Sequence, residues 1–377
     1  MVALARKTLI HEWRRFLPAI LAVGFAGLLQ LLQAALVLGI FGSASVYITG
    51  SSADLWAGYP GTQSVSLGRA ISQDVAMRLH MDPAVTAVEP FRWVDGDWRG
   101  KQGTGGVSVF VCGIDPSANG MMFSQALPAD LREKLKEPDS VIVDRADVDS
   151  LGVNVGSTAV INGQRVHIVG ISNGLRALGG VNVITSLDTA RTLDNDPEDA
   201  GRMTFYVAKL RDPAQADIVA KRLLGDTAFG PYTVWTAKDF SRRSQMYWIL
   251  DTGAGAGVLF LAGIVFLVGA VITSQTLVAA VIGSIREYAT LNALGVGVGA
   301  LRKVVMEQAF WVGAIGLLGS AVLGGIVLAL ARSRNVPMAL HPPTVLACLV
   351  LGMGLAIVSG LAAMRSLRRA DPASLLR

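Results

Sequence analysis

The side chains that could do chemistry in this 377-residue chain are few and scattered. Four histidines, His11, His80, His167 and His341, are scattered along the chain and show no zinc spacing. The acidic run Asp194, Asp196, Glu198 and Asp199 lacks the spaced ligands and the sixth-position glycine of a calcium loop, so it reads as a solvated turn. Between Gly100 and Gly106 the letters of a phosphate loop are present but not their order. Gly253, Gly255 and Gly257 alternate with alanine at the start of an apolar run, where small residues suit close helix packing. Cys112 and Cys348 lie in unrelated parts of the chain and are read as small buried apolar residues rather than a disulfide. No catalytic, metal or cofactor site is predicted, and no basic run interleaved with aromatics points to nucleic acid.

The segment Ile285-Arg286-Glu287-Tyr288-Ala289-Thr290-Leu291-Asn292-Ala293-Leu294-Gly295 is more informative. Ile285, Tyr288, Leu291 and Leu294 recur every third position with Ala289 and Ala293 beside them, the pattern of a short amphipathic helix. Gly295, Gly297 and Gly299 stop it before Leu301, Arg302 and Lys303 begin the next helix. By itself this is either a plain interfacial helix or a rigid knob offered to a partner.

The elements that position this segment are membrane spans. The chain is 52% hydrophobic and 16% charged, with a mean hydropathy of +0.48, too apolar for an ordinary soluble protein of this length. Four runs are long enough to cross a hydrocarbon core of about 30 Å as helices: 16–41, 254–282, 308–331 and 344–364. Small residues Ser43, Ala44 and Ser45 follow the first run as in a signal peptide, but that run far exceeds a signal core of about 7 to 15 residues and is read as a retained span. Gln30 and Gln33 are its polar intrusions, expected to contact neighbouring helices.

Basic residues set the orientation. Arg6, Lys7, Arg14 and Arg15 precede span one, Arg286, Arg302 and Lys303 lie between spans two and three, and Arg365, Arg368, Arg369 and Arg377 follow span four. The loop between spans three and four has only Arg332 and Arg334, so the positive-inside rule places both termini and the loop 283–306 in the cytoplasm. The polar segment 42–253 is then outside. It is slightly acidic while the whole chain is +5, so the pI of 9.4 comes from the span flanks and reports contact with anionic membrane lipid or a cytoplasmic partner.

The fold class predicted is an α-helical membrane protein with four transmembrane helices and a large extracytoplasmic α+β domain between helices 1 and 2. Strands are predicted at Val107–Cys112, Val141–Val143, Val166–Ile171, Val181–Ile184, Thr204–Leu210 and Tyr232–Thr236, and helices at Ala129–Lys136, Leu187–Leu193 and Pro213–Leu224. A strand at Thr158–Ile161, the turn Asn162-Gly163 and a strand ending Val169-Gly170-Ile171 predict a hairpin. The domain divides into a membrane-proximal part, 43–106 and 211–248, and a distal part, 107–210. A helix over Asp239–Thr252 is expected to run into span two. Asp54, Trp56 and Tyr59 are read as part of an interfacial belt. Residues 1–15 are expected as a cytoplasmic amphipathic helix with Leu9, Trp13 and Phe16 on one face, and 365–377 as a cytoplasmic tail.

Together these features resemble a known family. The motif from Arg286 to Gly295 after span two, the ending Ala370-Asp371-Pro372-Ala373-Ser374-Leu375-Leu376-Arg377 and the one-plus-three layout are similar to FtsX/MacB-like (type VII) ABC transporter permeases. Asp54-Leu55-Trp56 and the run Asp139–Ile171 look most like the DevC-type exporter permeases. The resemblance implies a permease of the bacterial inner membrane that is not itself an ATPase. It implies a homodimer paired with a separate ATP-binding subunit, and a periplasmic adaptor as a further partner. ATP hydrolysis would then move the extracytoplasmic domain for export or extraction of an envelope-associated or hydrophobic substrate. Carried over residue by residue, Arg286, Glu287, Leu291, Leu294 and Gly295 form the ATPase-coupling contact. The alternative implied is a non-transporting transducer that activates a periplasmic or cell-wall enzyme.

Overall fold

Long apolar helices bracket a mixed sheet region in the computed structural model, which describes residues 11–100, 106–196, 201–224, 227–283, 297–333, 336 and 338–369. In chain order the named elements open with α1 (Trp13–Ser43), α2 (Val46–Thr49), β1 (Leu55–Gly58), α3 (Asp74–His80), β2 (Val85–Arg99) and β3 (Val107–Ile114). Next come α4 (Ala129–Lys134), β4 (Ser140–Asp144), α5 (Val148–Leu151), β5 (Thr158–Ile161), β6 (Gln164–Ser172), β7 (Val181–Ser186) and α6 (Leu187–Leu193). The region closes with β8 (Phe205–Leu210), α7 (Ala216–Leu223), β9 (Thr233–Thr236) and α8 (Ala237–Met246). Three long helices follow, α9 (Ala254–Gly283), α10 (Val298–Ser333) and α11 (Pro342–Arg369). By contact the chain separates into two units, Met1–Ile40 with Ala256–Arg377, and Phe41–Gly255.

In the helical unit, α1, α9, α10 and α11 are each long and apolar enough to cross a membrane. Without a hydrophobic drive in lipid, their packing depends on close backbone approach at small residues. Gly316, Ser320 and Gly324 lie one above another on α10 and face α1: a Cβ at Gly316 would sit 2.9 Å from the Ile20 carbonyl oxygen and 3.0 Å from the Gly24 nitrogen. Gly27 lies against Leu317 and Ser320, and Gly324 against Leu31. On the other side of α10, Gly313 meets Met353 and Ala356 of α11. The amide nitrogens of Gln30 and Gln33 are buried, with no hydrogen-bond partner among the described residues. Helix α10 begins at Val298, ahead of the expected Leu301, and takes Gly299 into its first turn.

The other unit holds two β systems that share one strand. Strand β2 is 15 residues long and therefore about 50 Å from end to end. Its first half pairs antiparallel with β8, which pairs with β1, which pairs with β9, making a four-stranded sheet. Its second half pairs with β3, and from there the pairings run β3–β7–β4–β6–β5 and return to β2. That second system is a closed six-stranded barrel, which leaves no free edge. Pro90 falls where β2 is the edge strand of the sheet, the position that tolerates a residue without an N–H donor. The hairpin β5–β6 turns at Asn162 and Gly163, both with positive φ (50° and 86°), as expected of Asn-Gly.

Side chains alternate across the sheet with period two. Leu55 and Ala57, Tyr206, Ala208 and Leu210, and Val234 face α3 and α7, where Val75, Leu79, Val219 and Leu223 complete one core. On the opposite face Trp56, Phe91, Phe205, Val207 and Trp235 form an aromatic core with Phe240 of α8 and with Tyr47, Met122 and Phe123. The barrel is filled by Val94, Trp98, Val109, Val111, Val141, Val143, Ile161, Val166, Ile168 and Val183, with Leu151, Ala190 and Leu193 from the flanking helices.

Several sequence expectations change here. Trp56 is 0% exposed and packs edge-on against Phe91 and Phe205, so it is core rather than interfacial belt. Asp54 accepts from the Leu210 N–H at 2.9 Å and pairs with Lys209 at 3.2 Å, pinning β1 to β8. Strand β8, placed with the distal residues 107–210 by the sequence, belongs to the four-stranded sheet, and the outer half of β2 belongs to the barrel. Asp194 is not solvated: it takes two hydrogen bonds from the buried Arg92 guanidinium at 3.0 and 2.7 Å. Residues 13–15 belong to α1, and residues 1–10 of the amphipathic helix expected over 1–15 lie outside the described residues.

Candidate functional site

Helix α8 starts where Thr236 caps it, its hydroxyl accepting from the Asp239 N–H at 3.1 Å, with Asp239 in the first turn and Arg243 in the last to suit the helix dipole. Its buried face sets Phe240 flat against Trp235, ring centroids 4.7 Å apart and 9° from parallel. One turn on, the buried Ser244 hydroxyl donates to the Ala44 carbonyl at 2.8 Å, and Gln245 donates to the Ser45 hydroxyl at 2.9 Å. Ser64 lies 3.0 Å from Ser244, and the Trp248 indole N–H donates to Ser64 at 3.3 Å. Since Ser244 spends its proton on Ala44, the chain has one direction: Trp248 to Ser64 to Ser244 to the Ala44 carbonyl. This relay ties the segment that follows α1 to the helix that leads toward α9.

After Met246 the helix does not continue as the predicted single rod through Thr252. Tyr247–Asp251 is a π-helical turn, a form concentrated at functional positions. Gly253 then takes φ +72°, which a side chain would resist, and a Cβ at Gly255 would run into the Ile249 carbonyl. Gly257 meets nothing nearby. The alternating glycines thus serve a tight connection, and the helix packing predicted for them is not what they do at 253 and 255.

Beside Tyr247 a cleft of about 590 Å³ opens between the loop Tyr59–Arg69 and β2, lined by Tyr59, Leu67, Arg69, Trp93, Asp95 and Tyr247 among others. The Arg69 guanidinium lies over the Tyr59 ring, 5.5 Å from its centroid. Partial burial raises the carboxyl pKa of Asp95. Trp93 is held from behind by Phe110, ring centroids 5.0 Å apart, and by the Thr204 hydroxyl accepting from its backbone N–H at 3.0 Å.

The predicted ATPase-coupling residues Arg286, Glu287, Leu291, Leu294 and Gly295 lie outside the described residues, as do Leu9 and the motif 370–377. The helices that flank the coupling segment end at Gly283 and begin at Val298. The histidines stay apart: His80 ends α3, and His167 on β6 lies 3.8 Å from Glu137. No group of three or more metal-ligating side chains gathers among the described residues. Ser64, Ser244 and Trp248 carried no sequence signal, because serines and a tryptophan acquire this role only through long-range contact.

Comparison with known proteins covers both units. The family model for the MacB-like periplasmic core domain matches residues 19–225, and that for the FtsX-like permease C-terminal region matches residues 259–372. No curated protein matches the chain. Among solved structures, the periplasmic region of MacB from Actinobacillus actinomycetemcomitans is similar at 15% identity and TM-score 0.37, covering 52% of this chain and 94% of that one. The extracellular domain of the noncanonic ABC-type transporter YknZ from Gram-positive bacteria is similar at 11% identity and TM-score 0.35, covering 49% of this chain and 100% of that one. With one family model spanning more than half the chain and a second matching the helices after it, the chain belongs to the FtsX/MacB-like permeases.

Proposed function

We propose that this chain is the permease subunit of an ABC transporter of the mechanotransmission type, seated in the bacterial inner membrane with both termini in the cytoplasm. ATP is hydrolysed by a separate subunit that bears on Arg286, Glu287, Leu291, Leu294 and Gly295, and the resulting motion passes through the spans to the domain Phe41–Gly255. The work done is export or extraction of an envelope-associated or hydrophobic substrate. The observation that carries this reading is the pair of family matches, 19–225 and 259–372, the second enclosing the coupling segment. The serine relay and the π-helical turn support it, because they join the two ends of the domain that lead into the spans. Helix α9 supports assembly as a homodimer in lipid: only 11% of its apolar window is buried within the chain, against 28% for α1.

The test is purification of the chain from its native host in gentle detergent. An ATP-binding subunit is expected with it, and Leu291→Asp with Leu294→Asp is expected to abolish that association while leaving the permease folded. Recovery without any ATP-binding partner overturns the reading. Co-purification of an adaptor, with hydrolysis stimulated by substrate, is expected; capture of a cell-wall enzyme instead would make the chain a signal transducer.

A further inference from the structure

We infer that the cleft between Tyr59–Arg69 and β2 binds the headgroup of a zwitterionic, amine-bearing phospholipid. The cleft has the size of a small-molecule site, typically about 300 to 1,000 Å³, and it holds two opposite charges that do not neutralise each other. Arg69 and Asp95 both line it, yet neither side chain has a hydrogen-bond or ion-pair partner among the described residues. The face of the Arg69 guanidinium is spent on Tyr59, leaving its N–H edge to take a phosphate through paired hydrogen bonds. The exposed Asp95 carboxylate lines the same cleft and is free to take an ammonium through a charge-assisted hydrogen bond. A ligand carrying both a phosphate and an amine satisfies the pair; a purely anionic one leaves the carboxylate opposed.

The apolar lining selects a lipid over a soluble zwitterion. Rings of Tyr59, Trp93 and Tyr247 wall the cleft, and Leu67 on its rim is 46% exposed. Tyr247 opens the turn that carries Leu250, 59% exposed. A glycerol and the first methylenes of an acyl chain would lie along this surface while the headgroup sits between Arg69 and Asp95. The inference rests on the proposed reading, an envelope-associated substrate, for its place in the transport cycle, but the binding it describes needs no ATP-binding subunit.

The full chain in detergent is titrated with dihexanoyl phosphatidylethanolamine, and in parallel with dihexanoyl phosphatidylglycerol and with ethanolamine phosphate, by calorimetry. Saturable binding of the first is expected, about ten-fold tighter than of either comparator, because each comparator forgoes one charge-assisted contact or the apolar one. Arg69→Ala is expected to weaken phosphatidylethanolamine by about ten-fold or more, with partial recovery in Arg69→Lys. Asp95→Asn is expected to remove the preference over phosphatidylglycerol. Unchanged unfolding midpoints establish that these surface variants are folded. No saturable phosphatidylethanolamine binding, equal binding of phosphatidylglycerol by the wild type, equal binding of ethanolamine phosphate, or wild-type affinity in Arg69→Ala or Asp95→Asn would each overturn the inference. Since no ATPase takes part, a negative result here is distinct from failure to recover an ATP-binding partner.

Discussion

Glu89 shows at the scale of one residue how burial creates a pH response in this domain. The residue is 4% exposed; one carboxylate oxygen accepts from the Met121 N–H, and the other has no hydrogen-bond partner among the described residues. Burial raises its pKa, opposed by the Met121 hydrogen bond and by the nearby Arg132 guanidinium. A carboxyl whose folded pKa exceeds its unfolded value binds protons more readily when folded. The fold is therefore penalised at pH above both values, and that penalty is relieved as pH falls through the raised folded pKa. Glu89→Gln is expected to raise the unfolding midpoint at neutral pH and to flatten its dependence between neutrality and mild acid, measured by thermal unfolding of the full chain. A variant with the wild-type pH profile would show that Glu89 does not titrate in this way. Asp82 has the opposite sign: the Arg222 hydrogen bonds lower its pKa, so its contribution is present above the unfolded pKa and is lost as pH falls through the folded one.

Among the elements, the contact of α1 with α10 depends most on residue size. The row Gly316, Ser320, Gly324 meets Gly24, Gly27 and Leu31 with backbone nearly touching backbone. Gly316→Leu must separate the two helices or strain them, at a cost typical of overpacking, about 1–3 kcal/mol. The expected outcome is a lower unfolding midpoint for the detergent-solubilised chain, while Gly319→Leu, whose position meets nothing nearby, changes little. Equal effects at the two positions would mean that this interface does not set the stability. The β elements show the complementary case: β2 couples sheet and barrel because one strand is in both, so a displacement at one end reaches the other through about 50 Å of hydrogen-bonded strand.

For the whole molecule the decisive expectation is orientation. Basic flanks predict that the domain Phe41–Gly255 lies outside the cytoplasm. In a background lacking Cys112 and Cys348, a single cysteine in place of the exposed Asn195 is expected to react with an impermeant reagent from outside. Labelling only after the inner membrane is opened would reverse the topology.

How much of this was legible depended on whether the signal was local. Apolar length alone gave the four spans, and β-branched runs bounded by turn residues gave seven strands in their observed places, since both properties are carried by neighbouring residues. Strands β1 and β2 were not legible. Leu55-Trp56-Ala57-Gly58 is short and follows a span as an interfacial aromatic would, and β2 is interrupted by Pro90 and Gly96. The coupling residues were found through motif resemblance, not geometry, and lie outside the described residues. By itself the sequence determined that this is a four-span membrane protein carrying an α+β domain, because hydropathy acts residue by residue. Only the tertiary structure decided that the sheet closes into a barrel, that Trp56 is core, and that Arg69 and Asp95 share a cleft. Each of these depends on contacts between segments far apart in the chain, which local pattern does not encode.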